Sequence, residues 1–312
     1  MTIITCEKRE FQVEPTIEWE WVSCNLCGHD EAEVYYQEQL PYFGEMLDFH
    51  IVRCRHCGLV YTNPRLTQHN AVYLCSDSED TIQIEKHARA KADVFTTALN
   101  EIESRLSSDT KEQARSGYRL LDIGSGSGHF LAAARQRGFD VCGIEAAKAS
   151  ADYAVRNFDV PVLNEDIYQV ELPSESYDVI TAWDVIEHLP DPHEFLCRCV
   201  NWLKPGGIIA LRFPSATWQK TKAVVLNQIL AANHPIFGST MHLYFFTEQT
   251  FKRLCEQVGL EIWRVKTTYA ETNTNNPLLD SLKVLSNMVI RSLDTISGKH
   301  LGNLEVYCRK EK

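Results

Sequence analysis

The stretch "LLDIGSGSGHF", Leu120 to Phe130, sets three glycines at alternate positions behind an aspartate and a short apolar run. An apolar strand that ends at Asp122 and runs through Gly124, Ser125, Gly126, Ser127 and Gly128 into a helical pattern has the form of a nucleotide-type loop. Where side chains are missing, backbone N–H groups can approach a ligand closely, and glycine is the residue that permits this.

Outward from this loop, apolar β-type runs alternate with helical segments: "YRLLDIG", "HFLAAARQRG", "DVCGIEA", "AKASADYAVRNF", "VPVLNED", "YDVITAWD", "HEFLCRCVNWLKPGG" and "IIALRFP". Such alternation predicts an α/β fold of parallel strands joined by crossover helices. "TEQTFKRLCEQVG" adds a helix, "LEIWRVKTTY" a strand and "NLEVYCRK" a last strand. Glu145 ends the strand after the loop, seventeen residues beyond Gly128. A carboxylate there can accept hydrogen bonds from both hydroxyls of a ribose. Asp166 in "LNEDIY" ends another strand on the same rim, where it can meet an adenine amino group or merely cap a helix. Two segments interrupt the alternation, 215–246 and 270–302. Loops grown at the carboxyl ends of such strands form a lid or an acceptor pocket.

Before the loop, Cys24-Asn-Leu-Cys27 and Cys54-Arg-His-Cys57 form two C-x-x-C pairs, each followed at once by glycine, with 26 residues between them. Four thiolates so spaced can bind one tetrahedral zinc ion, and a closed set of four protein ligands suits a structural site. The gap exceeds the usual spacing, and His29 and His56 are alternative ligands beside the pairs. Short alternating runs such as "AEVYYQ" and "HIVRC" make residues 1–75 a β-rich, zinc-ribbon-like module. Ile84, Ala88, Ala92, Phe95, Leu99, Ile102 and Leu106 recur at helical intervals, so 76–116 reads as an amphipathic helix followed by a polar linker. Residues 117–312 then form the ligand-binding domain.

The 312 residues are 44% hydrophobic, enough for a full core. With 31 basic against 42 acidic residues the net charge is −11, which disfavours a nucleic-acid partner. No apolar run approaches the roughly 20 residues of a membrane helix. The start "MTIITCEKRE" lacks a signal-peptide pattern, so no membrane partner is expected and the cytoplasm is the expected compartment. Eleven cysteines, an odd number, then read as reduced thiols and metal ligands. Cys142, Cys197, Cys199, Cys255 and Cys308 lie inside expected elements as small buried hydrophobes.

The pieces "LLDIGSGSGHFL", "GIEAA", "NEDI", "YDVITAWDVIEHLPDP" and "LKPGGIIAL" together resemble the Rossmann-like, class I S-adenosylmethionine-dependent methyltransferases. The G-x-G-x-G spacing also differs from the G-x-G-x-x-G of pyrophosphate cofactors, leaving a nicotinamide-dependent oxidoreductase as an alternative. The resemblance implies a seven-stranded, mostly parallel sheet with helices on both faces and an antiparallel last strand. It also implies S-adenosyl-L-methionine as cofactor, with the methionine part at the glycine turn, the ribose at Glu145 and the adenine at Asp166. Asp122, Gly124, Ser125, Gly126, Gly128, Ile167 and Trp183 complete the expected cofactor set. The N-terminal cysteine pairs resemble those of a subgroup acting on sugars and other natural-product intermediates, which implies a small-molecule acceptor, a hydroxyl or activated carbon of a sugar or secondary metabolite; an rRNA or tRNA methyltransferase with a zinc ribbon is the alternative.

Methyl transfer needs an acceptor aligned with the C–S bond and, for a hydroxyl, a proton acceptor. In "TAWDVIEHLPDP", Asp184, Glu187 and His188 match a segment that in some related enzymes holds a divalent ion or an anion near the acceptor; the alternative is that Glu187 and His188 begin a helix and pack locally. The insert "NHPIFGSTMHLYFFT" carries His234, His242 and Tyr244. His242 is the expected general base, with His188 as second candidate and Tyr244 in an orienting role.

Overall fold

Apolar residues on alternate positions of the strands are divided between two faces of one sheet, and this division places every helix that matters to the site. The computed structural model describes residues 17–42, 45–67, 81–109, 117–230, 237–239, 241–268, 277–297, 300 and 302–311. Within the N-terminal region lie β1 (Trp19–Glu20), β2 (Ala32–Tyr42), β3 (Glu45–Cys54), β4 (Val60–Thr62) and β5 (Arg65–Leu66). A long helix follows, α1 (Thr81–Asp109). The α/β body then runs β6 (Arg119–Ile123), α2 (His129–Gln136), β7 (Asp140–Ile144), α3 (Lys148–Phe158), β8 (Val162–Leu163) and β9 (Tyr177–Trp183). After a single 3-10 turn at Ile186–His188 come α4 (Pro192–Trp202), β10 (Leu203–Pro214), α5 (Ala216–Leu230), β11 (Tyr244–Phe245), α6 (Glu248–Gln257), β12 (Leu260–Thr268), α7 (Pro277–Ser297) and β13 (Asn303–Lys310).

The main sheet has seven strands in the order β12-β13-β10-β9-β6-β7-β8. The β6–β7, β6–β9, β7–β8 and β9–β10 pairs are parallel, and β13 runs antiparallel to both β10 and β12, as the resemblance implies. Along β9, Val179 and Trp183 join a cluster with Ala98, Leu99 and Ile102 of α1 and Phe130, Leu131 and Ala134 of α2. Ile180 and Ala182 point the other way, to Phe195, Leu196 and Cys199 of α4 and Phe251 and Leu254 of α6. Helices therefore cover both faces. Helix α4 begins on a built cap: Asp191 Oδ1 accepts from Glu194 N at 2.8 Å with Pro192 in the first turn, an arrangement worth about 1 kcal/mol.

Some expectations were bounded differently. On α1, Phe95, Leu99, Ile102 and Leu106 face the core with Ala98, whereas Ala92 is exposed, and the side chains of Ile84 and Ala88 lie outside the described residues. The helix continues through the polar Ser107-Ser108-Asp109, past the end of the apolar stripe. "AEVYYQ" and "HIVRC" extend into the eleven- and ten-residue strands of a long hairpin, because each supplies the other's ladder. "VPVLNED" keeps only two strand residues at the sheet edge.

The N-terminal module has a four-stranded sheet ordered β11-β4-β3-β2. Its fourth strand comes from the 215–246 segment: Tyr244 pairs with Tyr61 and Phe245 with Val60. Cys24, Leu26, Cys54, Leu59 and Tyr61 share one apolar cluster with the α4 and α6 face of the main sheet. No helix among the described residues is long and apolar enough to cross a membrane.

Candidate functional site

The glycine loop crosses the carboxyl ends of β6 and β7. Gly124 N and Ser125 N both donate to Ile144 O, at 2.8 and 3.1 Å, and bend the chain back over the sheet. Gly124, Gly126 and Gly128 have φ of 64°, 50° and 78°, the left-handed region that glycine adopts without Cβ strain. They differ in what surrounds them. A Cβ on Gly124 would lie 2.5 Å from Val185 Cγ2, and one on Gly128 would lie 2.6 Å from Ala154 Cβ, so these two allow close packing. A Cβ on Gly126 would meet nothing within 4 Å. Gly126 therefore opens onto space that a ligand can occupy.

Glu145 is tied to that loop. Its Oε2 accepts from Gly126 N at 2.7 Å and its Oε1 from Ala147 N at 2.8 Å. A carboxylate has about four acceptor sites, so the same group can brace the turn and meet a ligand's hydroxyls. Asp166 caps its own turn, Oδ1 accepting from Tyr168 N at 2.8 Å, and Ile167 beside it is buried. Asn164, which sequence reasoning missed, donates to the carbonyls of Glu145 and Ala146 at 2.8 and 2.9 Å and fixes the rim between them. Below the loop, Asp122 Oδ1 accepts from Thr181 Oγ1 at 2.6 Å; burial, with Glu145 nearby, pushes the Asp122 carboxyl up to about 8. Ser125 Oγ and Trp183 Nε1 are buried without a hydrogen-bond partner in the protein. Trp183 packs on Phe130, centroids 5.1 Å apart, under the start of α2. Bare backbone, open space and two orphaned polar atoms fit an adenosyl ligand.

A second cluster stands just past β9. Val185, which touches Gly124, leads into the 3-10 turn carrying Glu187 and His188. Glu187 is 1% exposed, and neither carboxylate oxygen has a hydrogen-bond partner in the protein. Burial, then the charge of Asp184, raises its carboxyl well above the ordinary range. His242 is brought alongside: ligand atoms of Glu187, His188 and His242 lie within 4.8 Å of one another. The ring centroids of His188 and His242 are 4.7 Å apart. His188 Nδ1 meets Met241 O at 3.0 Å and His242 Nδ1 meets Phe237 O at 2.6 Å. A carbonyl only accepts, so both Nδ1 atoms carry the proton and the other ring nitrogen keeps its lone pair. Burial, with the other histidine nearby, lowers His188 to about 4, and burial lowers His242 as well. Both rings are neutral at pH 7. Neutral imidazoles oriented by backbone carbonyls beside a buried carboxylate suit a divalent cation.

Asp184 does not join them. Its carboxylate is 2.8 Å from Lys91 Nζ of α1 and 3.0 Å from Arg212 Nε of β10. Burial works against ionisation, but Arg212 and Lys91 outweigh it and hold Asp184 below the ordinary range. The candidate ion set is thus Glu187, His188 and His242, in place of the expected Asp184, Glu187 and His188. Tyr244 also lies apart: its hydroxyl donates to Pro190 O at 3.1 Å and accepts from Arg65 at 3.1 Å. That is a brace between β5 and the start of α4. His234 lies outside the described residues. Lys91 and Arg212 carry no local signature, which is why the sequence did not reveal them; the packing of α1 brings the first to Asp184 and the register of β10 on β9 brings the second.

The four thiols converge. Cys24 Sγ lies 3.4 Å from Cys57 Sγ, Cys27 Sγ 3.5 Å from Cys54 Sγ, and all four within 4.8 Å of one another. A tetrahedral zinc with bonds of about 2.3 Å would set sulfurs about 3.8 Å apart, so the donor set fits. Gly28 and Gly58, at φ 74° and 80°, close the knuckles by donating to Cys24 O and Cys54 O. Backbone N–H groups of Leu26 and Cys27 serve the Cys24 sulfur, and those of His56 and Cys57 serve Cys54. His29 and His56 stack on each other, centroids 3.9 Å apart, beside the quartet. Of the remaining thiols, Cys199, Cys255 and Cys308 are buried as expected and Cys142 is half-buried. Cys197 departs from the expectation: it is exposed, on the solvent side of α4.

Comparison with known proteins follows the same lines. The ubiquinone biosynthesis O-methyltransferase of Leptothrix cholodnii is 29% identical over 157 residues, 47% of this chain and 65% of that protein. The enzyme of the same name from Idiomarina loihiensis is 30% identical over 156 residues, 46% of this chain and 62% of that protein. The chain thus spans just under two thirds of the length of these relatives. The crystal structure of magnesium protoporphyrin IX methyltransferase from Synechocystis PCC 6803 with bound SAH has a TM-score of 0.50 at 13% identity, covering 75% of this chain and 90% of that one, a likeness of fold. Residues 90–265, more than half of the chain, match the family model described as a methyltransferase domain, and the protein belongs to that family, the class I S-adenosylmethionine-dependent methyltransferases.

Proposed function

We propose that the protein transfers the methyl group of S-adenosylmethionine to a hydroxyl of a small-molecule acceptor that docks beside Glu187, His188 and His242. One observation carries this reading. The open face of Gly126 and the Glu187–His188–His242 cluster stand on neighbouring strand ends, joined by the contact of Val185 with Gly124. Relatives named as O-methyltransferases support a hydroxyl acceptor, and the −11 net charge speaks for a small molecule over a nucleic acid. A sugar or secondary-metabolite hydroxyl remains the starting point for an acceptor screen.

The chemistry balances simply. The acceptor oxygen forms a bond to the methyl carbon, the carbon–sulfur bond breaks, S-adenosylhomocysteine leaves, and the hydroxyl proton passes to the free ring nitrogen of His242 or, where a cation occupies that nitrogen, to solvent. A divalent cation held by Glu187, His188 and His242 would supply Lewis acidity that lowers the hydroxyl pKa. The side chains themselves do the remaining work. Glu145 and Asp166 orient the adenosine, and the loop holds the methionine part near Gly126. Holding a cation and accepting a proton each use the one free lone pair of a neutral imidazole, so a ring does one or the other, and that neutral state is the one favoured by burial and by the carbonyls of Met241 and Phe237. In the Cys24, Cys27, Cys54 and Cys57 quartet we place a structural zinc.

Isothermal titration tests the cofactor half. S-adenosylhomocysteine is expected to bind and NADH to give no heat; tight NADH binding with no response to the thioether would end the methyltransferase reading. Glu145→Ala is expected to weaken S-adenosylhomocysteine by about 10- to 100-fold, the loss of charge-assisted hydrogen bonds worth roughly 1.5–3 kcal/mol. An unchanged dissociation constant would remove Glu145 from the ribose.

A further inference from the structure

The N-terminal sheet contributes more than a platform. Glu38, on β2, is 5% exposed and lies about two hundred residues from the segment it grips. Its Oε2 accepts from Phe237 N at 2.9 Å, and its Oε1 accepts from Ser239 N at 2.8 Å and Ser239 Oγ at 2.7 Å. Those donors belong to the turn that holds His242. Phe237 O takes the His242 Nδ1 proton at 2.6 Å, and His242 N donates to Gly238 O at 2.9 Å. Gly238 sits between them at φ 68°, and a Cβ there would come within 3.2 Å of His242 Nδ1. The same sheet grips the far side of the histidine: Thr62 Oγ1 donates to His242 O at 3.0 Å and Thr62 N to Leu243 O at 2.9 Å. Phe237 is seated on Tyr36, centroids 4.9 Å apart, and against Phe245.

We propose that Glu38 is a positioning residue for His242: its carboxylate fixes the Phe237–Ser239 turn, whose carbonyl in turn fixes the tautomer and direction of the His242 ring. A buried charge with three donors aimed at it is costly to displace, so the turn has one arrangement while Glu38 is present. A simple structural role for Glu38 would stabilise the whole molecule without acting selectively on one ring. The inference rests on the reading of His242 as an acceptor-site residue.

The test separates the two. Protein with 15N-labelled histidine, without any substrate, is compared as wild type, Glu38→Gln, Glu38→Ala and Ser239→Ala, with His242→Gln assigning the signal. Wild type is expected to show His242 as the Nδ1–H tautomer. Glu38→Ala is expected to lose that signal while His188 keeps its own, with Glu38→Gln and Ser239→Ala intermediate because each leaves part of the bonding. Turnover should fall about 10- to 100-fold in Glu38→Ala, the usual cost of removing a residue that orients a functional histidine, with cofactor affinity held within about twofold. Loss of the tautomer with turnover unchanged would support the positioning and sink the acceptor-site reading of His242. An unchanged His242 signal in both Glu38→Gln and Ser239→Ala overturns the proposal, and these two variants decide it should Glu38→Ala not fold.

Discussion

Replacing Cys54 with serine is expected to strip the cysteine quartet of zinc and to stop turnover, while S-adenosylhomocysteine still binds. Serine removes one of the sulfur donors now gathered within 4.8 Å. Structural zinc of this kind supplies folding free energy directly, about 10–16 kcal/mol of apparent binding energy in small peptides, far more than the apolar contacts of a short ribbon. The damage should spread along a defined route. Cys54 ends β3, β3 pairs with β4, and β4 pairs with β11, the strand that begins two residues after His242. Asn25, between the first two cysteines, donates to Asp191 Oδ1 at 3.0 Å and so reaches the cap of α4. The cofactor cradle hangs on other elements, β6, β7 and the loop between β6 and α2. Elemental analysis should give about one zinc per chain in wild type, the ratio of a closed tetrahedral site, and less in the variant. A metal-free wild type as stable as the loaded protein would refute the ribbon.

Much of this was legible in the sequence because it is local. The glycine loop, the cysteine pairs and the Glu187–His188 dipeptide each declare themselves within a few residues, and the parallel sheet follows from alternation over eight successive segments. What escaped is non-local. Asp184 reads as a partner for Glu187 and His188 when only spacing is known, yet Lys91 from α1 and Arg212 from β10 neutralise it. Tyr244 reads as a neighbour of His242, but its hydroxyl is taken up by Arg65 of β5 and by Pro190 O before α4. Glu38 gave no signal at all, since a single acid in the polar run "QEQ" looks like a solvated strand face. Its burial is created by a turn about two hundred residues later.

Glu187→Gln is expected to abolish most of the activity and, in chelator, to raise thermal stability. The two signs follow from one fact: the carboxylate is sealed from solvent with neither oxygen hydrogen-bonded by the protein. Without a counter-ion such a group destabilises the fold near pH 7, because burial forces its raised carboxyl to take up a proton that the unfolded chain would not bind. A carboxamide of the same shape carries no charge and should relieve that penalty in metal-free protein. With Mg2+ or Mn2+ added back, hard ions that a thiolate quartet takes up poorly, only wild type should gain stability, since His188 and His242 alone would hold the ion weakly. Turnover should drop by about 100-fold or more in His242→Ala, the range for loss of a group that manages the acceptor proton, with S-adenosylhomocysteine affinity unchanged. A purely local packing role for Glu187 predicts the reverse pattern: destabilisation on substitution and no response of either protein to metal. Chelation that leaves wild-type turnover intact would return the proton transfer to His242 alone, and a His242→Ala enzyme of full activity would leave the whole cluster without a part in catalysis.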